Sequence, residues 1–147
     1  MTFRLVLTAL LIFVTASWMI AANGSSGVTY VDHDKVAAAL AKGGSLVTAP
    51  DLTVMCSHRD KPGQVELHDK ETDVIYIVEG DATFVTGGTA VGLTRTTPGQ
   101  SLGSEIKGGD GHHLTKGDVI VVPAGVPHWF KEIHPSISYY VVKVIKP

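Results

Sequence analysis

Four side chains in this sequence belong to types that can hold a divalent cation together: Glu66, His68, Asp73 and His128. Glu66 and His68 stand two apart in Val65-Glu66-Leu67-His68, a short run that reads as a strand. Successive side chains on a strand alternate between faces, so an i, i+2 pair projects to one side, and two ligands reach one ion only from a shared side. Asp69 to Thr72 reads as a polar turn. Asp73 then opens an apolar run, and an antiparallel return can bring its carboxylate beside His68. His128 arrives from a distant part of the chain. Two imidazoles with one or two carboxylates make a mixed nitrogen and oxygen donor set, which suits iron(II), manganese(II), nickel or zinc, whereas copper(I) would want sulfur. With Glu66 included, two carboxylates neutralise the ion. Without it, His68, Asp73 and His128 form a facial triad with positions open to water, substrate or oxygen.

The elements that must position these groups are short and β-rich. Gly117 to Glu132 is an apolar run ending in Pro-Ala-Gly-Val-Pro, followed at once by His128 and two aromatics, which predicts a strand, a tight turn and a second strand. Pro123 and Pro127 lack an amide hydrogen, so they end one ladder and begin the next. Alternation then predicts His128, Phe130 and Glu132 on one face, with Trp129 and Lys131 on the other.

Two spaced patterns carry a family resemblance. Gly117, five residues, Pro123, one residue, Gly125, two residues and His128 resembles the second conserved motif of the cupins, with Glu132 where that family has Asn. Glu66-Leu67-His68, four residues, Asp73, six residues and Gly80 is similar to the first cupin motif, with Glu66 in the place of the first His and Asp73 in the place of Glu. The resemblance spans residues 66–132 and implies an all-β fold, a single cupin-type double-stranded β-helix or jelly-roll barrel. It also implies a divalent metal held by Glu66, His68, Asp73 and His128. The activities it implies include dioxygenases, isomerases, decarboxylases and oxidases; the His and carboxylate set favours a dioxygenase-like enzyme on a small molecule. The alternative is a non-catalytic module that holds a small ligand or a metal. A homodimer is expected, since dimers are common among such proteins.

Composition sets the remaining limits. A chain of 147 residues with 44% hydrophobic content suits one domain with a real core. A formal charge of -2, from 12 basic and 14 acidic residues without a basic block, leaves no electrostatic footprint for nucleic acid. A charged start at Arg4, an apolar run from Leu5 and small residues at Ala21, Ala22 and Gly24 predict a secretory signal peptide over residues 1–23. Export to a periplasmic or extracellular site follows, with membrane attachment only if the segment is retained. Cys56 is the single cysteine and has no disulfide partner in its own chain. Asn23-Gly24-Ser25 matches a glycosylation acceptor but falls at the expected cleavage point.

Residues 24–45 read as a linker and one short helix, about 33–42, capped by Asp32 and stopped by Gly43-Gly44, ahead of a β domain over 46–147. Glu79-Gly80-Asp81 is read as a hairpin turn. Val74 to Val78, apolar on both faces, is read as a central covered strand. Gly87 to Gly111 reads as one long loop, and Tyr139 to Ile145 as an edge strand or a subunit contact. Tyr76, Phe84 and Phe130 read as core, Cys56 as a small buried side chain, and Trp129 as a cap on the barrel mouth or a dimer contact. His112-His113 reads as an exposed pair, and Arg95 and Glu105 as solvated.

Overall fold

The structure is a computed structural model that describes residues 27–146. Residues 1–23, expected to be a signal peptide, lie outside the described residues. The expected helix forms as α1, His33–Lys42. The Asp32 side chain accepts the Lys35 N–H at 3.1 Å, which satisfies one of the unpaired donors of the first turn. The Gly43 N–H closes the other end on the Ala39 carbonyl.

Among the described residues eleven strands follow: β1 Gly44–Thr48, β2 Leu52–Arg59, β3 Val65–His68, β4 Glu71–Thr86, β5 Thr89–Val91, β6 Thr94–Thr97, β7 Gln100–Gly103, β8 Glu105–Lys107, β9 Asp110–Thr115, β10 Val119–Val122 and β11 His128–Ile145. Nine of them form one antiparallel sheet in the order β1-β2-β11-β3-β7-β6, with β4 joined to β11 and carrying β9 and β10; β5 and β8 make a separate ribbon. The result is the all-β jelly roll that the motifs implied, with its strands paired along a branched path.

The core lies between the sheet faces. Ile75, Ile77, Ala82 and Phe84 of β4 meet Phe130, Ile137, Tyr139 and Val141 of β11, with Leu114 and Val122 closing the sides. Phe84 and Phe130 pack with ring centroids 4.5 Å apart, and Phe130 stacks on Tyr139 at 4.8 Å. Such offset and tilted pairs add to the burial of large apolar area. Cys56 is buried, as expected.

Several expectations are corrected. Glu79-Gly80-Asp81 is not a hairpin turn: β4 runs unbroken through it for 16 residues. Gly80 has φ +80° and faces an irregularity in β11 between His134 and Ile137, so the strand bends there and continues. Val74 to Val78 is central, paired with β10 on one edge and β11 on the other, but only one of its faces is fully buried, Val74 and Val78 being half-buried on the other. Ile75 and Ile77 are buried while Tyr76 is exposed, so Tyr76 is not a core residue. Residues 87–111 are not one loop, because β5 to β8 lie within them. The last run is not an edge strand, since β11 pairs with β2 on one side and β4 on the other. Glu132 does not share a face with His128 and Phe130. A register shift between Phe130 and Glu132 in the pairing with β4 inserts one extra residue, and the alternation is lost beyond it. Glu132 points outward and accepts the Thr83 hydroxyl at 3.0 Å.

Candidate metal centre

All four sequence-predicted site residues come together at one end of the core. Strand pairing does most of this work. His128, the first residue of β11, pairs with Glu66 of β3, and Asp73 of β4 pairs with Lys143 near the far end of β11. The Pro-Ala-Gly-Val-Pro turn is tied to the end of β3 by the Gly125 N–H, which donates to the His68 carbonyl at 2.7 Å. Gly125 has φ +82°, a backbone conformation that favours glycine, so this tie needs the glycine of the second motif.

His68, Asp73 and His128 are buried to within 4% exposure, and Glu66 is half-buried beside them. His68 Nε2 lies 3.4 Å from Asp73 Oδ2 and 3.7 Å from Glu66 Oε2, and His128 Nε2 lies 3.6 Å from Asp73 Oδ2. These separations are at or beyond the limit of a hydrogen bond. Donors about 2.1 Å from one ion stand about 3.0 to 3.4 Å apart in octahedral or tetrahedral arrangements, so closure by roughly a few tenths of an ångström would let them share a cation. Glu66, His68 and His128 form one group able to hold a metal; His68, Glu71 and Asp73 form an overlapping second group.

The tautomers suit that role. His128 Nδ1 lies 3.2 Å from the Val126 carbonyl and can donate to it, which leaves the Nε2 lone pair facing the site. Burial holds the His128 pKa below its ordinary value of 6.5, despite the pull of Glu66, so the ring is neutral as a ligand must be. Among the described residues His68 Nδ1 is a buried polar atom without a hydrogen-bond partner, and Glu71 Oε2 is 3.9 Å from it. A metal-bound histidine commonly directs its other N–H to a carboxylate, and Glu71 stands where such a partner would. The donor set therefore fits a divalent ion.

Four side chains of the site were not foreseen: Lys143, Glu71, Arg59 and Tyr139. Lys143 Nζ lies 3.0 Å from His68 Nε2, donates to both Asp73 oxygens at 2.9 and 3.0 Å, and is 3.2 Å from Glu71 Oε2. Its signal was in the sequence. Ile137, Tyr139, Val141 and Lys143 share one face of a strand, so a cation sits at an inward position of an apolar run. Arg59 donates from Nη2 to Glu66 Oε1 at 3.0 Å and from Nε to the Tyr139 hydroxyl at 2.8 Å, with its guanidinium 5.2 Å from the centre of the Phe130 ring. Burial opposes its charge, but Tyr139 and Glu66 carry the Arg59 pKa above the usual value.

Burial tends to raise the Asp73 pKa, yet His68 and the Lys143 ammonium hold it below the ordinary 3.8. Its folded value lies under its unfolded one, so the stability it contributes is complete above the ordinary value and is lost as pH falls through the folded value. Urea midpoints of the metal-free protein should drop more steeply below pH 4 than those of Asp73→Asn; parallel curves would refute the pairing. Burial and Lys143 press the His68 pKa down, while the Asp73 contact and the charge of Glu66 outweigh them and raise it above 6.5, a rise that belongs to the ring with Nε2 protonated and directed at Asp73. While the Lys143 ammonium donates to Nε2 the ring is the neutral acceptor, and protonation of that nitrogen would break the contact.

The other candidates stay apart from this centre. His112 Nε2 pairs with the Thr86 hydroxyl at 2.9 Å, and His113 is exposed near Asp81. Arg95 makes an exposed ion pair with Asp69 at 2.7 Å. Trp129 is fastened at the rim by donating its indole N–H to the Gly63 carbonyl at 2.8 Å.

Residues 28–147 match the family model described as Cupin, which covers most of the chain. The chain belongs to the cupin family. Solved structures agree on the fold. This cupin is similar to BH2720 of Bacillus halodurans, with 15% identity, 84% of this chain and 86% of that one covered, and a TM-score of 0.59. It is similar to the Cnp3 cupin domain of Schizosaccharomyces pombe, with 15% identity, 71% and 61% covered, and a TM-score of 0.54. It also resembles the DMSP lyase DddQ of Ruegeria pomeroyi DSS-3, with 14% identity, 70% and 46% covered, and a TM-score of 0.51. The cupin thus spans less than two thirds of the length of the last two. No curated protein matches it.

Proposed function

We propose that this cupin binds a divalent first-row metal through His68, Asp73 and His128, with Glu66 as a fourth ligand, and acts as a metal-dependent enzyme on a small molecule. The observation that carries this reading is the convergence of these donors, from three strands and 62 residues of sequence, at separations of 3.4 to 3.7 Å. A bound ion would supply Lewis acidity and positions open to substrate and oxygen, which makes dioxygenase-like chemistry the favoured class.

The chain's own groups point to an acidic substrate. Glu66, Glu71 and Asp73 outnumber Arg59 and Lys143 by one in the metal-free centre, an excess that a divalent ion would offset. The adjoining cavity is about 90 Å³, well below the roughly 300 Å³ at which ordinary ligand pockets begin, so it admits only a very small molecule. Ile75, Phe130 and Val141 line it and keep water from the inner wall, while Arg59 at the same wall can orient a carboxylate.

Elemental analysis of the protein from its native compartment, with an oxygen-consumption screen on small carboxylic acids, tests this reading. Bound iron, manganese, nickel or zinc with turnover is the expected result; protein free of metal under all loading conditions would end it. A second reading, a non-catalytic binding module, draws support from Lys143, whose ammonium already satisfies Asp73 and His68. It predicts ligand-dependent thermal stability without turnover.

Export by the N-terminal segment and assembly as a homodimer belong to the same proposal. Tyr76, Val119, Val121 and Val144 are 45–60% exposed on paired strands, giving the sheet an apolar outer face that a second copy would cover. Sedimentation velocity should return a dimer mass, and a monomer at micromolar concentration would count against it.

A further inference from the structure

We propose that Lys143 is a tethered cation that competes with the metal ion, so that the centre is either closed by an ammonium or open to a divalent ion. This rests on the metal reading above. An ammonium has three N–H donors and no acceptor. Lys143 Nζ finds three acceptor atoms, His68 Nε2 and both Asp73 oxygens, at 2.9 to 3.0 Å, with Glu71 as an ion-pair partner at 3.2 Å, so its hydrogen-bonding capacity is filled. Two of those acceptors, His68 Nε2 and Asp73 Oδ2, are the atoms whose spacing suits a metal.

Counting lone pairs makes the two occupants exclusive. His68 Nε2 has a single lone pair, which can receive the Lys143 proton or bind an ion, not both. The 3.4 and 3.7 Å separations to Asp73 and Glu66 are measured from that same nitrogen, so a metal shared by the set must use it. Charge acts in the same direction, because an ammonium within about 4 Å of a divalent ion in a half-buried site is repelled strongly. Metal entry therefore requires Lys143 to withdraw. Its side chain is 16% exposed and lines the cavity, and its flexible four-carbon stem gives it a path toward the mouth. Strand register holds its backbone opposite Asp73, so an ammonium that has left remains close enough to return.

The test uses the whole chain, with calorimetric titration of zinc and manganese into the metal-free wild type, Lys143→Met and Lys143→Arg. Lys143→Met removes the charge at similar length and is expected to bind metal at least about tenfold more tightly, a change of the size that outer partners of metal ligands produce. Lys143→Arg keeps a cation and should stay near wild type. Affinity in Lys143→Met equal to or weaker than wild type, in a protein with native circular dichroism, overturns the proposal while leaving the metal reading intact. Absence of binding in every form overturns both. Should Lys143→Met fail to fold, acylation of the wild type by an amine-reactive ester decides the matter. Lys143 should be modified several-fold faster in the metal-loaded protein than in the free one, and an unchanged rate alongside saturated metal overturns the competition.

Discussion

His128→Ala is expected to weaken metal binding by at least about 100-fold, beyond the 10- to 100-fold that loss of an outer partner of a ligand costs. His128 brings the second imidazole, and its Nε2 is freed for the site by the Nδ1 contact to Val126. Without it the remaining donors are His68 and carboxylates, a set that favours harder and more weakly held ions. His128 also packs against Phe84, with ring centroids 5.9 Å apart, so truncation leaves a cavity and some loss of stability. For that reason the comparison pairs metal content, read by elemental analysis, with thermal melting of both metal-free proteins. A His128→Ala form that melts normally and carries as much metal as wild type would remove the proposed centre.

Gly80→Ala is expected to cost more than about 4 kcal/mol and to remove most of the soluble protein. A Cβ at this position would stand 1.9 Å from the Ser136 carbonyl oxygen and 2.9 Å from its carbon, backbone atoms that cannot rotate aside. The φ of +80° adds a strain of its own for any residue with a side chain. Gly80 lies midway along β4, whose two halves carry Asp73 and Phe84, so a shift there would misplace ligand and core together. Urea unfolding of whatever protein is recovered gives the magnitude; a midpoint within error of wild type would show that β11 can yield at Ser136.

The same glycine shows where the sequence is a poor guide. Glu-Gly-Asp between β-branched runs is ordinary hairpin chemistry, and the local pattern cannot tell a reversal from a bend in a continuing strand. The difference is made by β11, whose irregularity between His134 and Ile137 accommodates the bend from the other side of the sheet. Glu132 failed to follow the alternation for a related reason. The extra residue after Phe130 has no mark in Lys131 or Glu132 themselves and exists only as a mismatch with β4. Tyr76 lies between the inward Ile75 and Ile77, so alternation turns it to the outer face despite its apolar ring.

What the sequence determined by itself was the local part of this cupin. The i, i+2 pair at 66 and 68, the proline and glycine turn before His128, the capped helix after Asp32 and the choice of donor types follow from alternation and backbone freedom over a few residues. The tertiary structure alone decided that Lys143 lies opposite Asp73, that Arg59 reaches Glu66, and that Glu71 stands near His68. Each of these depends on register between strands, and in the Lys143 and Asp73 pair the partners are 70 residues apart. Register is set by the sum of packing along the whole ladder and by its bulges, so a short window of sequence carries the face of a side chain but not its partner.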